Sequence, residues 1–300
     1  MHDYVYLMTT SFIVGFFSRL YMMRLDNRQY PTYPQGFISH ITLGIIASAL
    51  GSVAIPALVE KEFSAVTFLA LAAQQFRDVR SMERQSLDNI ESTEMVPRGT
   101  AYIEDIAKAF EARNYMAILS ALSSGISFYV VDNFLKAPLY ICILIALIVG
   151  TLVAFALKNL LTREKIGEIA DVVPAKIEFD GPFLKINGVT IMNVGLESSR
   201  ERYINEGLAV EIIPKENVYI GTISNLGQRQ VIAHNISIQL GIKKDVDEPD
   251  FTPMIRRNPN NESLLVSIVP IKKDESLLIE LIKNIPVIES AKGKSRYLKG

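Results

Sequence analysis

The sequence predicts a polytopic α-helical membrane domain of about five spans over residues 1–161, followed by an α+β soluble domain with antiparallel strands over residues 162–300. Three observations predict it. Hydrophobic residues make up 49% of the 300 and charged residues only 21%, with a mean hydropathy of +0.22, too apolar for a chain that buries a single core in water. The apolar content is gathered into five runs before residue 161. Beyond that point the composition turns to short β-forming segments separated by turns, over a length usual for one domain.

The first run, residues 4–18, carries no charge and continues apolar after Arg19. His2 and Asp3 precede it, and bulky Tyr21 and Met22 follow, which is not the pattern of a cleaved signal peptide, so it is expected to be retained. A turn-forming stretch at residues 30–34 leads into the second run, residues 36–58, which holds His40 near its start. The third, residues 63–76, is shorter than the roughly 20 residues that cross a bilayer, so a tilted, buried or re-entrant helix is an open alternative. Residues 115–131 and 138–157 supply the last two spans.

Lys and Arg in short loops set orientation. Arg24, Arg28, Arg77, Arg80, Arg84, Arg98, Lys108 and Arg113 fall on one side of a five-span chain, against Lys61 and Lys136 on the other. This places the N-terminus outside and the C-terminal domain in the cytosol, where Lys158, Arg163 and Lys165 agree with it. Residues 77–114 form a cytosolic helical insertion, two polar helices broken at Pro97-Arg98-Gly99. Arg77, Arg80 and Arg84 share one face of the first, with Glu83 three residues from Arg80. If residues 101–113 are helical, Ile103, Ile106, Ala107 and Phe110 form an apolar face.

In the soluble domain Asn187-Gly188 between residues 183–186 and 189–192 is a strong hairpin signal. Further strands are expected at residues 208–213, 218–223, 231–240 and 264–269, and a helix at 274–284 capped by Asp274. Gln228, Arg229 and Gln230 follow Asn225-Leu226-Gly227 and read as a polar turn, a hairpin connection or a binding loop. His234 falls in a strand pattern. Residues 292–299 read as a basic tail.

Composition excludes several function classes. With 31 basic and 32 acidic residues there is no basic excess for nucleic acid, and a single cysteine, Cys142, builds neither a disulfide framework nor a cysteine zinc site. Walker A, GxGxxG, GxSxG and HExxH motifs are absent, and no cofactor is implied. His40, Asp78 and Glu104 would be a permissible metal set, but no helical spacing supports it. What remains is a coincidence of depth. Arg19 with Ser18, Ser39 with His40, and Gln74, Gln75, Arg77 and Asp78 all fall at the cytosolic ends of three spans. A charge at membrane depth is costly, so Arg19 either snorkels or finds a partner, of which Asp78 is the nearest. Two explanations stand side by side. In one the polar helix ends are merely satisfied. In the other Asp78 or Glu104 is a carboxylate base and His40 or Arg19 polarises a scissile group.

The run Tyr102-Ile103-Glu104-Asp105-Ile106-Ala107 resembles the signature that names the YIEGIA family of membrane proteins from endospore-forming Firmicutes. Residues 27–36, 63–84, 110–115 and 225–230 also look like segments of that family, so the resemblance covers essentially the whole chain. Asp105 stands where the family name has glycine, and is not a catalytic candidate; Glu104 matches. The resemblance implies a protein of the forespore or spore inner membrane whose partners are other membrane proteins, as a protease controlling client levels. The alternative is a non-catalytic scaffold or regulator of sporulation whose cytosolic domain recruits partners.

Overall fold

The computed structural model describes residues 4–26, 34–245 and 248–292. The turn expected at residues 30–34 lies outside the described residues up to residue 33, as do Arg28 and the basic tail from residue 293. The chain divides into two compact units. Unit 1 comprises Met1–Gln85 and Ile106–Thr162, and unit 2 comprises Ser86–Asp105 and Arg163–Gly300. The insertion expected over residues 77–114 is therefore shared between the two, because its middle packs as part of the C-terminal unit.

Unit 1 is built from α1 (Val5–Asp26), α2 (Pro34–Val59), most of α3 (Phe63–Glu91), most of α4 (Thr100–Leu135) and α5 (Leu139–Leu161). Four stretches among the described residues are long and apolar enough to cross a membrane: Val5–Met23, Ile38–Val59, Thr100–Leu135 and Leu139–Leu161. The third run expected from the sequence is not one of them. It is the first half of α3, which passes without a break through Arg77, Asp78 and Arg80 to Glu91. Likewise the helix expected from residue 101 and the span expected from residue 115 are one helix, α4.

Small residues let these helices approach closely, as membrane packing favours. A Cβ added at Gly51 of α2 would lie 2.5 Å from the Ile118 carbonyl oxygen of α4, and one at Gly150 of α5 would lie 2.6 Å from Val14 Cγ1 of α1. Outward, α5 exposes Leu144, Ile148, Leu152 and Phe155, an apolar face suited to lipid.

Unit 2 is α+β. After α6 (Ile166–Ile169) come β1 (Ala170–Pro174), β2 (Ile177–Asp180), β3 (Phe183–Ile186), β4 (Val189–Asn193), α7 (Glu197–Glu206) and β5 (Leu208–Pro214). Next are α8 (Ile220–Ser224), α9 (Leu226–Leu240), the short pair β6 (Lys244–Asp245) and β7 (Glu248–Pro249), β8 (Met254–Arg257), β9 (Leu264–Ile268) and α10 (Glu275–Asn284). One sheet has the order β1-β5-β9-β8 and a second the order β2-β3-β4, with every pairing antiparallel. Asn187 and Gly188 both take positive φ between β3 and β4, as a tight hairpin turn requires. Leu184, Ile186, Ile191, Tyr203, Ala209, Leu265 and Val269 form a core beneath them.

The expected strands at 208–213 and 264–269, the hairpin and the Asp274-capped helix are all present. Two expected strands are helical instead. Residues 218–223 fall in a 3-10 turn and α8, and residues 231–240 lie in α9. β-branched Val231, Ile232 and Ile236 suggest a strand locally, but Gln228, Val231, Ile232, Ile236 and Leu240 recur at helical spacing and all are buried. The Asn225 side chain caps this helix by accepting from the amides of Gly227 and Gln228. The expected polar turn at 228–230 is thus the first turn of α9, and His234 sits on a helix.

Candidate functional site

Arg19 of α1 is the largest fully buried side chain among the described residues, 1% exposed. Its stem fits because α2 has glycine opposite it: a Cβ at Gly44 would lie 2.7 Å from Arg19 Cγ. Nε donates to Asn114 Oδ1 of α4 at 3.2 Å, and Nη2 lies 3.3 Å from Nδ1 of His40 on α2. Guanidinium nitrogens only donate, so His40 Nδ1 is the acceptor and its neutral ring carries the proton on Nε2. Phe110 of α4 serves both groups, with the guanidinium carbon 5.4 Å from its ring centre and the His40 ring edge-on at 4.8 Å.

The same logic orients Asn114, which is 0% exposed. Because Arg19 Nε must meet an acceptor, the amide oxygen faces it, and Nδ2 points elsewhere, buried without a hydrogen-bond partner. A buried donor left open is costly unless a ligand or water fills it.

α3 is tied to α4 where Arg80 Nη1 pairs with Glu111 Oε2 at 3.3 Å. Burial pushes the Glu83 carboxyl above its ordinary value, an effect the Arg19 charge only partly offsets. Asp78, the partner expected for Arg19, is exposed, because Arg19 points into the α1–α2–α4 contact instead. Gln74, Gln75, Arg77 and Ser39 are also exposed. Of the polar residues expected together, the structure brings Arg19 and His40 into contact and adds Asn114 and Phe110. Phe110 had a local signal, its place on the apolar face of residues 101–113.

Unit 2 holds the remaining expected residues. Gln228 is fully buried and works as a clip, with Nε2 donating to Pro286 O at 3.1 Å and Oε1 accepting from Ile288 N at 2.9 Å. Arg229 is half-buried. His234 Nδ1 lies 2.7 Å from Val96 O, which fixes the proton there, and burial holds its imidazole below the ordinary value. No group of three or more potential metal-ligating His, Cys, Asp or Glu occurs among the described residues.

The profile of the YIEGIA protein family matches residues 7–297. The chain belongs to the YIEGIA family. It is similar to the uncharacterized protein YphB of Bacillus subtilis (strain 168), 40% identical over 291 residues that cover 97% of this chain and 95% of that protein. No solved structure matches. The hexapeptide that resembles the YIEGIA name opens α4. Tyr102, Ile103 and Asp105 are buried in unit 2, with Asp105 ion-paired to Arg163 and accepting from Glu289 N at 3.2 Å. Tyr102 packs its ring edge-on to His234 at 6.3 Å. Ile106 and Ala107 are fully buried in unit 1, and Glu104 is half-buried. The hexapeptide is thus a folding element, and its Asp105 holds the C-terminal segment in place.

Proposed function

We propose that this YIEGIA family member is an integral protein of the forespore or spore inner membrane that acts on other membrane proteins and lowers their levels by hydrolysis at the polar site of unit 1. The observation that carries this reading is the buried Arg19, held by Asn114 and His40 where α1, α2 and α4 meet. An ionisable group sequestered in a membrane helix bundle marks function more often than stability, since an apolar residue would pack there at lower cost. Asp78 and Glu104 leave the catalytic assignment, because Asp78 is exposed and Glu104 belongs to unit 2.

The second reading, a non-catalytic scaffold or regulator of sporulation, is favoured by exposed Leu196, Leu226, Ile238 and Ile271 on unit 2, apolar side chains suited to a partner. Membrane proteomes of sporulating cells separate the two. Under the hydrolytic reading, His40→Ala protein at normal levels leaves specific membrane proteins uncut. Under the scaffold reading, that variant changes no client, whereas Leu226→Lys abolishes co-purification of partners.

Unit 2 is placed in the cytosol on the Lys and Arg distribution. Residues 86–105 and 163–300 pack together, which agrees with two crossings between them by α4 and α5. The apolar half of α3 is proposed as the short fifth span, which leaves the N-terminus outside. A cysteine placed at residue 2 in a Cys142→Ala background is then labelled by an impermeant reagent on intact cells; protection means four crossings.

A further inference from the structure

We propose that Asn187 is a modification site, where deamidation turns the side chain into a carboxylate and loosens unit 2 from within. The inference is independent of the hydrolytic reading above. Asn187-Gly188 is the one Asn-Gly pair in the sequence. It forms the exposed turn closed by the pairing of Ile186 with Val189, and both residues take positive φ. A Cβ built at Gly188 would meet nothing within 4 Å, so the backbone nitrogen there carries no side chain and has no crowding neighbour that would keep the Asn187 side chain off it.

What gives the pair its consequence is where the carboxamide goes. Nδ2 donates to Glu211 Oε2 at 2.7 Å and Oδ1 accepts from Lys176 N at 3.0 Å, so Asn187 ties the β3–β4 hairpin to β5. Glu211 is 7% exposed and depends on such donors for its charge. Both ends of the carboxamide are held in the closed turn, so conversion proceeds in molecules whose hairpin tip has opened.

The chemistry balances with water as the only co-reactant. In the opened turn the Gly188 amide nitrogen gives up its proton and bonds to Asn187 Cγ. The Cγ–Nδ2 bond breaks, and the nitrogen leaves as ammonia with that proton. Water then opens the five-membered imide. Attack at Cγ leaves aspartate, and attack at the α-carbonyl leaves isoaspartate, with one more atom in the backbone of the turn. On reclosing, an acceptor-only carboxylate faces Glu211 where a donor stood. The ammonia is lost, so the change runs one way.

The test follows the full chain in detergent over time. Peptide mass spectrometry is expected to place the conversion of amide to acid at Asn187 ahead of other asparagines in the native protein. Hydrogen exchange in β5 and β9 is expected to be faster in the converted fraction. Asn187→Asp is expected to speed that exchange about 100-fold. Adding Glu211→Gln, whose amide donates to the new carboxylate, is expected to bring it back to within about tenfold of the wild type. If Asn187→Asp does not fold, recovery of folding in the double variant reads the same contact. An Asn187 that stays intact in native protein while converting in urea would overturn the site. Exchange in Asn187→Asp that equals the wild type, or that Glu211→Gln does not restore, would overturn the Glu211 contact as what the modification breaks.

Discussion

Unit 2 buries the carboxylate of Glu211, 7% exposed, in β5, where it accepts from Ser263 Oγ at 2.6 Å, Asn261 Nδ2 at 2.8 Å and Asn187 Nδ2 at 2.7 Å. Unit 1 buries the guanidinium of Arg19, which meets the neutral Asn114 and His40, and the amide that holds it keeps a donor open. Burial alone pushes Glu211 up, but its hydrogen bonds outweigh that and hold it below its ordinary value. Burial wins at Glu83, which is held above. A fully satisfied buried charge welds strands together, whereas a buried donor left open, as at Asn114 Nδ2, costs stability.

Glu83 tests the unit 1 side. At neutral pH the burial that raises the Glu83 carboxyl disfavours its charged form in the fold. Glu83→Gln is therefore expected to raise the thermal midpoint of the purified protein in detergent. A lowered midpoint would mean that the Glu83 carboxylate is a structural partner.

On the unit 2 side, Glu211→Leu strands three donors and is expected to lose about 3–5 kcal/mol, read as faster hydrogen exchange in β5 and β9. The wild type should reproduce part of this with acid. Because the folded value of Glu211 is depressed, its stabilisation is fully present above the ordinary value of 4.5 and is lost as pH falls through the folded one. Glu211→Leu should flatten that acid limb.

Asp105→Ala breaks the pair with Arg163 and the bond from Glu289 N, with an expected loss of about 2–3 kcal/mol, measured by denaturant unfolding of the full chain. Gly51→Ala pushes a methyl against the Ile118 carbonyl and should cost about 1–3 kcal/mol in unit 1 without loosening exchange in unit 2. Asn225→Ala, which removes the α9 cap, should cost about 1 kcal/mol and fray residues 226–229 first.

Much of the fold was legible because its signals are local. Apolar runs, Asn187-Gly188 and Asp274 act within a few residues, and four of the five runs, the hairpin turn and the helix cap stand where expected. α9 was misread because β-branched residues favour strands locally, whereas its helical burial is fixed by what it packs against. The α3 run is shorter than a full membrane crossing because its apolar length stops at Arg77, a shortfall visible in the sequence itself. At the site, Arg19 and His40 were legible as polar groups out of place in apolar helices. Asn114 was not, since an asparagine beside Arg113 at the end of a polar stretch looks like ordinary surface.

By itself the sequence determined the membrane class, the two-part architecture and the family, because hydrophobic content, turn residues and the hexapeptide are all properties of short stretches. Tertiary structure alone decided that Arg19 meets Asn114 and His40, that Asp105 and Gln228 are clips, and that residues 86–105 fold with the C-terminal unit. The physical reason is range. Hydrogen bonds and ion pairs act over a few ångströms between residues that are, in Arg19 and Asn114, 95 positions apart, and only the packed helices bring such atoms together.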